Sequence, residues 1–254
     1  MVTESYRKLG FLCVGIALAI LSFSGIAAAQ NPNPVQDFFQ LEQPGHFEAT
    51  LYGGGFGSDK YGTVQEGFQL EQSLTRYVGV FGRATGYQLW IGQGFPSPLN
   101  PNNGPSARLN FARLQGGLDF APVQGTHLFI SAGHDLGDSD APVIEGDFTT
   151  WLMLHSLHPV NFGFSAVHDY QNDVTSAEID IQTIALSKEN YMLLLGAGGA
   201  IYGGGFVPSV QGQGGPDIGI YYRPWRMGVS IQAGYGVANE YGELSIFKQF
   251  AWVE

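Results

Sequence analysis

From His46 onward, apolar and polar residues alternate with a period of two, which marks strands with two unlike faces. About twelve segments carry the pattern, each near the ~10-residue length of a tilted strand that crosses a bilayer. They lie at 46–56, 63–72, 76–90, 107–120, 125–137, 143–155, 159–170, 174–187, 191–203, 216–223, 226–237 and 241–253. In 174–187, Glu178, Asp180 and Gln182 share one face, and Ala177, Ile179, Ile181 and Ala185 share the other. In 143–155, Glu145, Asp147, Thr149 and His155 oppose Ile144, Phe148, Leu152 and Leu154. In 226–237, Ser230 and Gln232 oppose Met227, Val229, Ile231, Ala233 and Tyr235.

The connections fall into two sets that alternate along the chain. Gln72–Arg76, Ala121–Gly125, Ser156–Pro159, Ser187–Tyr191 and Arg223–Arg226 are short. Gly57–Gly62, Ile91–Ser106, Gly137–Pro142 and Gly203–Pro216 form a more variable set. Greek-key connections of a soluble sandwich have no reason to keep that order, whereas a transmembrane barrel does. The expectation is an all-β fold: a closed antiparallel transmembrane β-barrel of about 12 strands, with short periplasmic turns and longer outer loops.

Alternation alone does not separate a membrane barrel from a soluble one, and the makeup of the polar face does. Solvent-facing strands carry many Lys and Glu, yet charged residues are only 13% of this chain. Its polar positions hold Gln, Ser, Thr, Asn and Gly, as the lumen of a barrel would. Aromatics gather near the predicted strand ends. Tyr77, Phe120, Tyr191, Trp225 and Trp252 lie by the short turns; Tyr52, Tyr61, Trp90, Tyr170, Tyr202, Tyr235 and Tyr241 lie by the other set. Rings with polar tips suit the two headgroup layers.

Two segments, LEQSLTRYVGVFGRATGY and YRPWRMGVSIQAGYGV, each read as strand, tight turn and strand. On these, residues 46–254 resemble the bacterial outer-membrane β-barrel class. That resemblance implies an outer-membrane location, with outer-membrane lipid and the barrel assembly machinery as partners. Many such barrels end in an aromatic residue that the machinery reads; here Trp252 is followed by Val253 and Glu254.

The first residues agree with export. Arg7 and Lys8 precede an apolar stretch from Phe11 to Leu21, then small residues ending Ala27-Ala28-Ala29. This is the order of a secretory signal over residues 1–29, with cleavage expected between Ala29 and Gln30. Residues 30–45, QNPNPVQDFFQLEQPG, lack periodicity and read as a periplasmic lead-in before the barrel at 46–254. Cleavage removes the only cysteine, Cys13, so no disulfide framework is expected. The formal net charge of −11 argues against binding nucleic acid.

No motif fixes a reaction. His155-Ser156, His134-Asp135 and His168-Asp169 are sequence neighbours, so in a strand each pair splits between opposite faces. His155 and His158 have a metal-like spacing but lack further ligands nearby, and no metal or cofactor is expected. Tyr52-Gly53-Gly54-Gly55-Phe56 recurs as Tyr202-Gly203-Gly204-Gly205-Phe206, with no Lys-Ser/Thr of a phosphate loop after either copy.

What remains is the inward polar face. By parity it holds Glu48, Glu71, Asp119, Glu145, Asp147, Asp169, Glu178, Asp180, Asp217 and Glu243, against Arg83 and Arg113. Carboxylates in a narrow wet passage favour cations. Arg83, Arg113, Asp119, Glu145, Asp147, Glu178 and Asp180 are therefore the candidate selectivity residues, with Arg83 and Arg113 expected to pair with Glu71 or Asp119. The expected function is a passive channel for small polar or cationic solutes. Its alternatives are a non-conducting surface barrel presenting loops to partners, a barrel enzyme, and a secreted soluble β-protein.

Overall fold

The computed structural model describes residues 45–58, 61–91, 107–123, 125–152, 159–170, 173–204, 207–236 and 239–252. The expected signal segment, nearly all of the lead-in, most of Ile91–Ser106, and His155, Ser156 and His158 lie outside the described residues.

Among the described residues, twelve strands form one sheet: β1 (Phe47–Ser58), β2 (Tyr61–Ser73), β3 (Val78–Ile91), β4 (Ala107–Val123), β5 (Thr126–Gly137), β6 (Pro142–Leu152), β7 (Val160–Asp169), β8 (Val174–Ser187), β9 (Tyr191–Gly204), β10 (Val207–Tyr222), β11 (Met227–Gly236) and β12 (Asn239–Trp252). Each pairs antiparallel with its neighbours in sequence, and β1 closes on β12 from Phe47↔Trp252 to Ser58↔Tyr241. Closure leaves no edge strand, so strand N–H and C=O groups find partners within the wall, as a hydrocarbon environment demands.

Local chemistry explains the tight turns. Between β2 and β3, Thr75 Oγ1 accepts the backbone N–H of Tyr77 at 3.1 Å and of Val78 at 3.0 Å, a hydroxyl-closed turn. Between β10 and β11, Pro224 sits in a single 3-10 turn, Arg223–Trp225, and Arg226 follows with φ 47°. Arg223 ties this turn to the preceding one, donating to Ser187 Oγ at 2.8 Å, to the Glu189 carbonyl at 3.0 Å and to the Lys188 carbonyl.

The two faces of the wall are unlike, and in the sense opposite to a soluble barrel. Ile218, Ile220, Ile231, Leu114, Ile130 and Ile179 stand on the outside; Ile220 and Ile231 are each 54% exposed. Asp119 and Asp135 stand on the inside and are 1% exposed. An apolar outside around a charged inside is stable only with hydrocarbon around it, which removes the secreted soluble protein as a reading.

Three expectations need correction. Gly203–Pro216 is largely strand, because β9 runs to Gly204 and β10 starts at Val207. Its glycines, proline and glutamines lack the apolar alternation that reveals a strand. Tyr52, Tyr61 and Tyr241 turn into the lumen, while Tyr170 and Tyr235 remain outward at that end and are 58% and 68% exposed. The interior is also not polar throughout. Toward the short turns, Ile184, Met192 and Tyr221 form a buried cluster with Trp151, Leu194 and Phe247 packed against it. Ile184 keeps the inward parity of Glu178, Asp180 and Gln182, and the register shift between β8 and β9 just beyond it, at Ile184/Leu186, leaves Leu186 outward and 39% exposed, so parity read from the middle of β8 fails at Leu186.

Candidate functional site in the lumen

Register sets which inward side chains meet. Gln69 of β2, Arg83 of β3 and Gln115 of β4 lie in one row across three strands. Ser131 of β5 lies opposite Glu145 of β6. Side chains from these rows then cross the lumen. Arg83 donates to Glu145 Oε1 at 2.7 Å and to Gln69 Oε1 at 3.0 Å, and its second terminal nitrogen lies 3.5 Å from Asp147. The other Glu145 oxygen accepts from Gln115 at 2.6 Å, and Gln115 also donates to Ser131 at 3.2 Å. Both Glu145 oxygens are thus engaged.

Arg113 forms a two-pronged pair with Asp135, at 2.7 and 3.0 Å, and Ser139 donates to the same carboxylate at 3.3 Å. The planar fork of guanidinium suits that geometry. The same guanidinium lies 5.4 Å from the centre of the Tyr87 ring. Asp119 meets His127 Nδ1 at 2.8 Å, and His127 stacks on Phe129. Neither arginine therefore takes the partner expected from parity. Arg83 pairs with Glu145 and Asp147 instead of Glu71, and Arg113 pairs with Asp135 instead of Asp119. The physical reasons differ: Arg83 reaches carboxylates three strands away on β6, which strand parity does not reveal, whereas Arg113 meets Asp135 directly opposite it on β5, an inward carboxylate absent from the parity set.

Glu178, Asp180, Asp217 and Glu243 have different surroundings. They line one recess of about 210 Å³ in the wall of β8–β12, together with Gln182, Gln213, Gln232, Ser230 and Ser245. Among the described residues, none of the four makes an ion pair with a Lys, Arg or His. Asp217 accepts from Gln182 at 2.7 Å, and Ser245 donates to Glu243 at 3.5 Å. Glycine on β9 makes the recess possible. A Cβ at Gly198 would stand 2.7 Å from Gln232 Nε2 and 3.2 Å from Asp180 Oδ1, so any side chain there would push into the Gln232 amide and the Asp180 carboxylate.

The recess opens beside a larger cavity of about 500 Å³ that reaches opposite walls, touching Arg83 and Arg113 on one side and Glu178 and Glu243 on the other. All seven candidates face the interior, but they divide. Arg83, Glu145 and Asp147 neutralise one another in large part, Arg113 is held by Asp135, and Asp119 is buried against His127. Glu178 and Asp180 face the cavity without a cationic partner among the described residues and are joined there by Asp217 and Glu243. Parity had found these last two as inward carboxylates, but it could not rank them, because rank depends on which cations reach them.

The neighbouring His–Asp pairs split as expected. His134 points outward to Asp140 at 2.7 Å while Asp135 points inward. His168 meets Thr175 at 3.0 Å and the edge of Tyr170 on the outer face. Among the described residues, no three His, Cys, Asp or Glu side chains converge to hold a metal ion.

No protein-family model matches the chain, and no curated protein matches it. Solved structures do. An outer-membrane channel from Pseudomonas putida F1 is 9% identical with a TM-score of 0.53, over 87% of this chain and all of that one. The translocator domain of the autotransporter NalP from Neisseria meningitidis is 10% identical with a TM-score of 0.50, over 87% of this chain and 92% of that one. At such identities the likeness is one of fold. With its apolar outside, closed wall and largely polar interior, the chain has the fold of the bacterial outer-membrane β-barrels.

Proposed function

We propose that the barrel is a passive, cation-preferring channel for small polar solutes, exported by its N-terminal signal and inserted by the barrel assembly machinery. One observation carries the reading: Glu178, Asp180, Asp217 and Glu243 face a lumen cavity without a cationic partner among the described residues, while both lumen arginines are held in pairs. Carboxylates in a water-filled space with low-dielectric walls lower the energy of cations and raise that of anions. The inward aromatics support an open interior. Phe81 lies against Gly117 and Tyr52 against Gly67, each ring spread along the wall. Catalysis forms no part of this reading.

A second reading rests on the apolar cluster around Met192 and Tyr221. It narrows the short-turn end and favours a blind, non-conducting barrel open at the other end. Planar-bilayer recording of the detergent-purified protein separates the two. Discrete conductance steps support the channel. Silence from protein shown by protease protection to be inserted supports the blind barrel.

A further inference from the structure

We infer that the solutes this interior takes are organic ammonium compounds, held where an aromatic stack borders the uncompensated carboxylates. The inference deepens the channel reading and rests on it for the solute's route, while the binding it names is measurable without conduction.

Phe56 lies between two tyrosines, 4.9 Å from the ring of Tyr61 and 5.2 Å from that of Tyr241, with interplanar angles of 25° and 29°. Tyr61 is fixed by its hydroxyl, which donates to Gln213 Oε1 at 2.9 Å. Tyr241 and Glu243 share the inward face of β12, and both line the acidic recess. Phe56, Tyr61 and Glu243 also line the larger cavity, so rings and carboxylates border one continuous space. Its volume of about 500 Å³ falls in the ~300–1,000 Å³ range of small-molecule sites.

Two buried polar atoms point to the kind of ligand. Tyr241 is 6% exposed, and its hydroxyl has no hydrogen-bond partner among the described residues. Asp217 is 9% exposed; one oxygen is taken by Gln182 and the other is likewise without a partner. Both atoms accept an N–H. A buried acceptor left without a donor is costly, so each favours a ligand that brings one.

A bare metal ion is a poor match, because no three carboxylates converge among the described residues. An anion meets the carboxylates, and a neutral solute gains the rings alone. An ammonium group on an apolar body uses every part. Its charge is stabilised by carboxylates and by ring faces within about 6 Å, and its N–H groups reach the waiting acceptors.

The test uses the protein purified from membranes in detergent, titrated calorimetrically with benzylammonium and with benzyl alcohol as its neutral counterpart. Benzylammonium is expected to bind about tenfold more tightly or better, the margin a carboxylate and a cation–ring contact supply together. Phe56→Leu and Glu243→Gln, each verified as folded by its heat-dependent gel shift, are expected to lose most of that margin. Equal affinities in the folded wild type overturn the inference. A barrel that conducts K⁺ yet does not prefer benzylammonium overturns it and leaves the channel standing. A barrel that prefers benzylammonium but never conducts supports it and overturns the channel.

Discussion

The ring of Tyr52 on β1 lies across Gly67 on β2, so closely that a Cβ at Gly67 would stand 2.6 Å from the tyrosine oxygen and 2.7 Å from the ring carbon that bears it. The tyrosine hydroxyl then meets Thr85 on β3, so one side chain spans three strands. Gly67 is what lets an inward aromatic lie along the wall instead of across the lumen. Gly67→Ala is expected to destabilise the barrel by about 1–3 kcal/mol through overpacking. Gly82→Ala, where the nearest atom to the new methyl is 4.0 Å away, is expected to be neutral. Urea unfolding of the two variants in lipid vesicles, followed by tryptophan fluorescence, checks the difference.

Arg83 offsets Glu145 and Asp147. Arg83→Met removes the cation and leaves both carboxylates facing the lumen. A more cation-selective pore is expected, with stability lowered by about 1–3 kcal/mol for the lost charged hydrogen bonds. Reversal potentials and urea midpoints measure the two effects separately. An unchanged reversal potential in a conducting variant contradicts the compensation described for this pair.

Much of the fold is legible in the residues, and the reasons are local. Alternation such as Ala177, Ile179, Ile181 against Glu178, Asp180, Gln182 reports face and strand together, since side chains change sides at every residue. The same rule split His134 from Asp135 correctly. It failed where a strand lacks contrast, as in Val207–Tyr222, rich in glycine and glutamine, and where a register shift changes the facing, as at Leu186. The lumen site was legible in most of its members, Asp135 excepted, and illegible in its pairing. Arg83 to Glu145 and Arg113 to Asp135 are contacts between side chains far apart in sequence, and Gly196 and Gly198 make the recess without any signal of their own beyond being glycine.

Neighbouring residues on β11 give a direct test of the faces. Ile231 stands outward, between Ile218 and Leu244 on the flanking strands, and Ser230 lines the acidic recess. Ile231→Arg is expected to cost about 2–4 kcal/mol near the bilayer midplane and to lower the yield of inserted barrel. Ser230→Arg is expected to insert normally and to reduce cation preference by offsetting Asp217 and Glu243. Vesicle insertion assays distinguish them, and equal insertion defects contradict the assignment of faces.

The proposed N-terminal signal implies a mature chain beginning at Gln30, with Ala29→Tyr blocking cleavage. Intact-mass measurement of protein purified from outer membranes checks both. A wild-type mass that retains residues 1–29 contradicts the signal.

The most direct test of the account is the reversal potential, across a KCl gradient, of a channel carrying Glu178→Gln, Asp180→Asn, Asp217→Asn and Glu243→Gln together. These carboxylates face the cavity without a cation among the described residues, whereas Asp119 is buried against His127. The account predicts that the fourfold variant loses most of its preference for K⁺ over Cl⁻, while Asp119→Asn keeps it. A fourfold variant that conducts with the wild-type preference contradicts the assignment of selectivity to this recess.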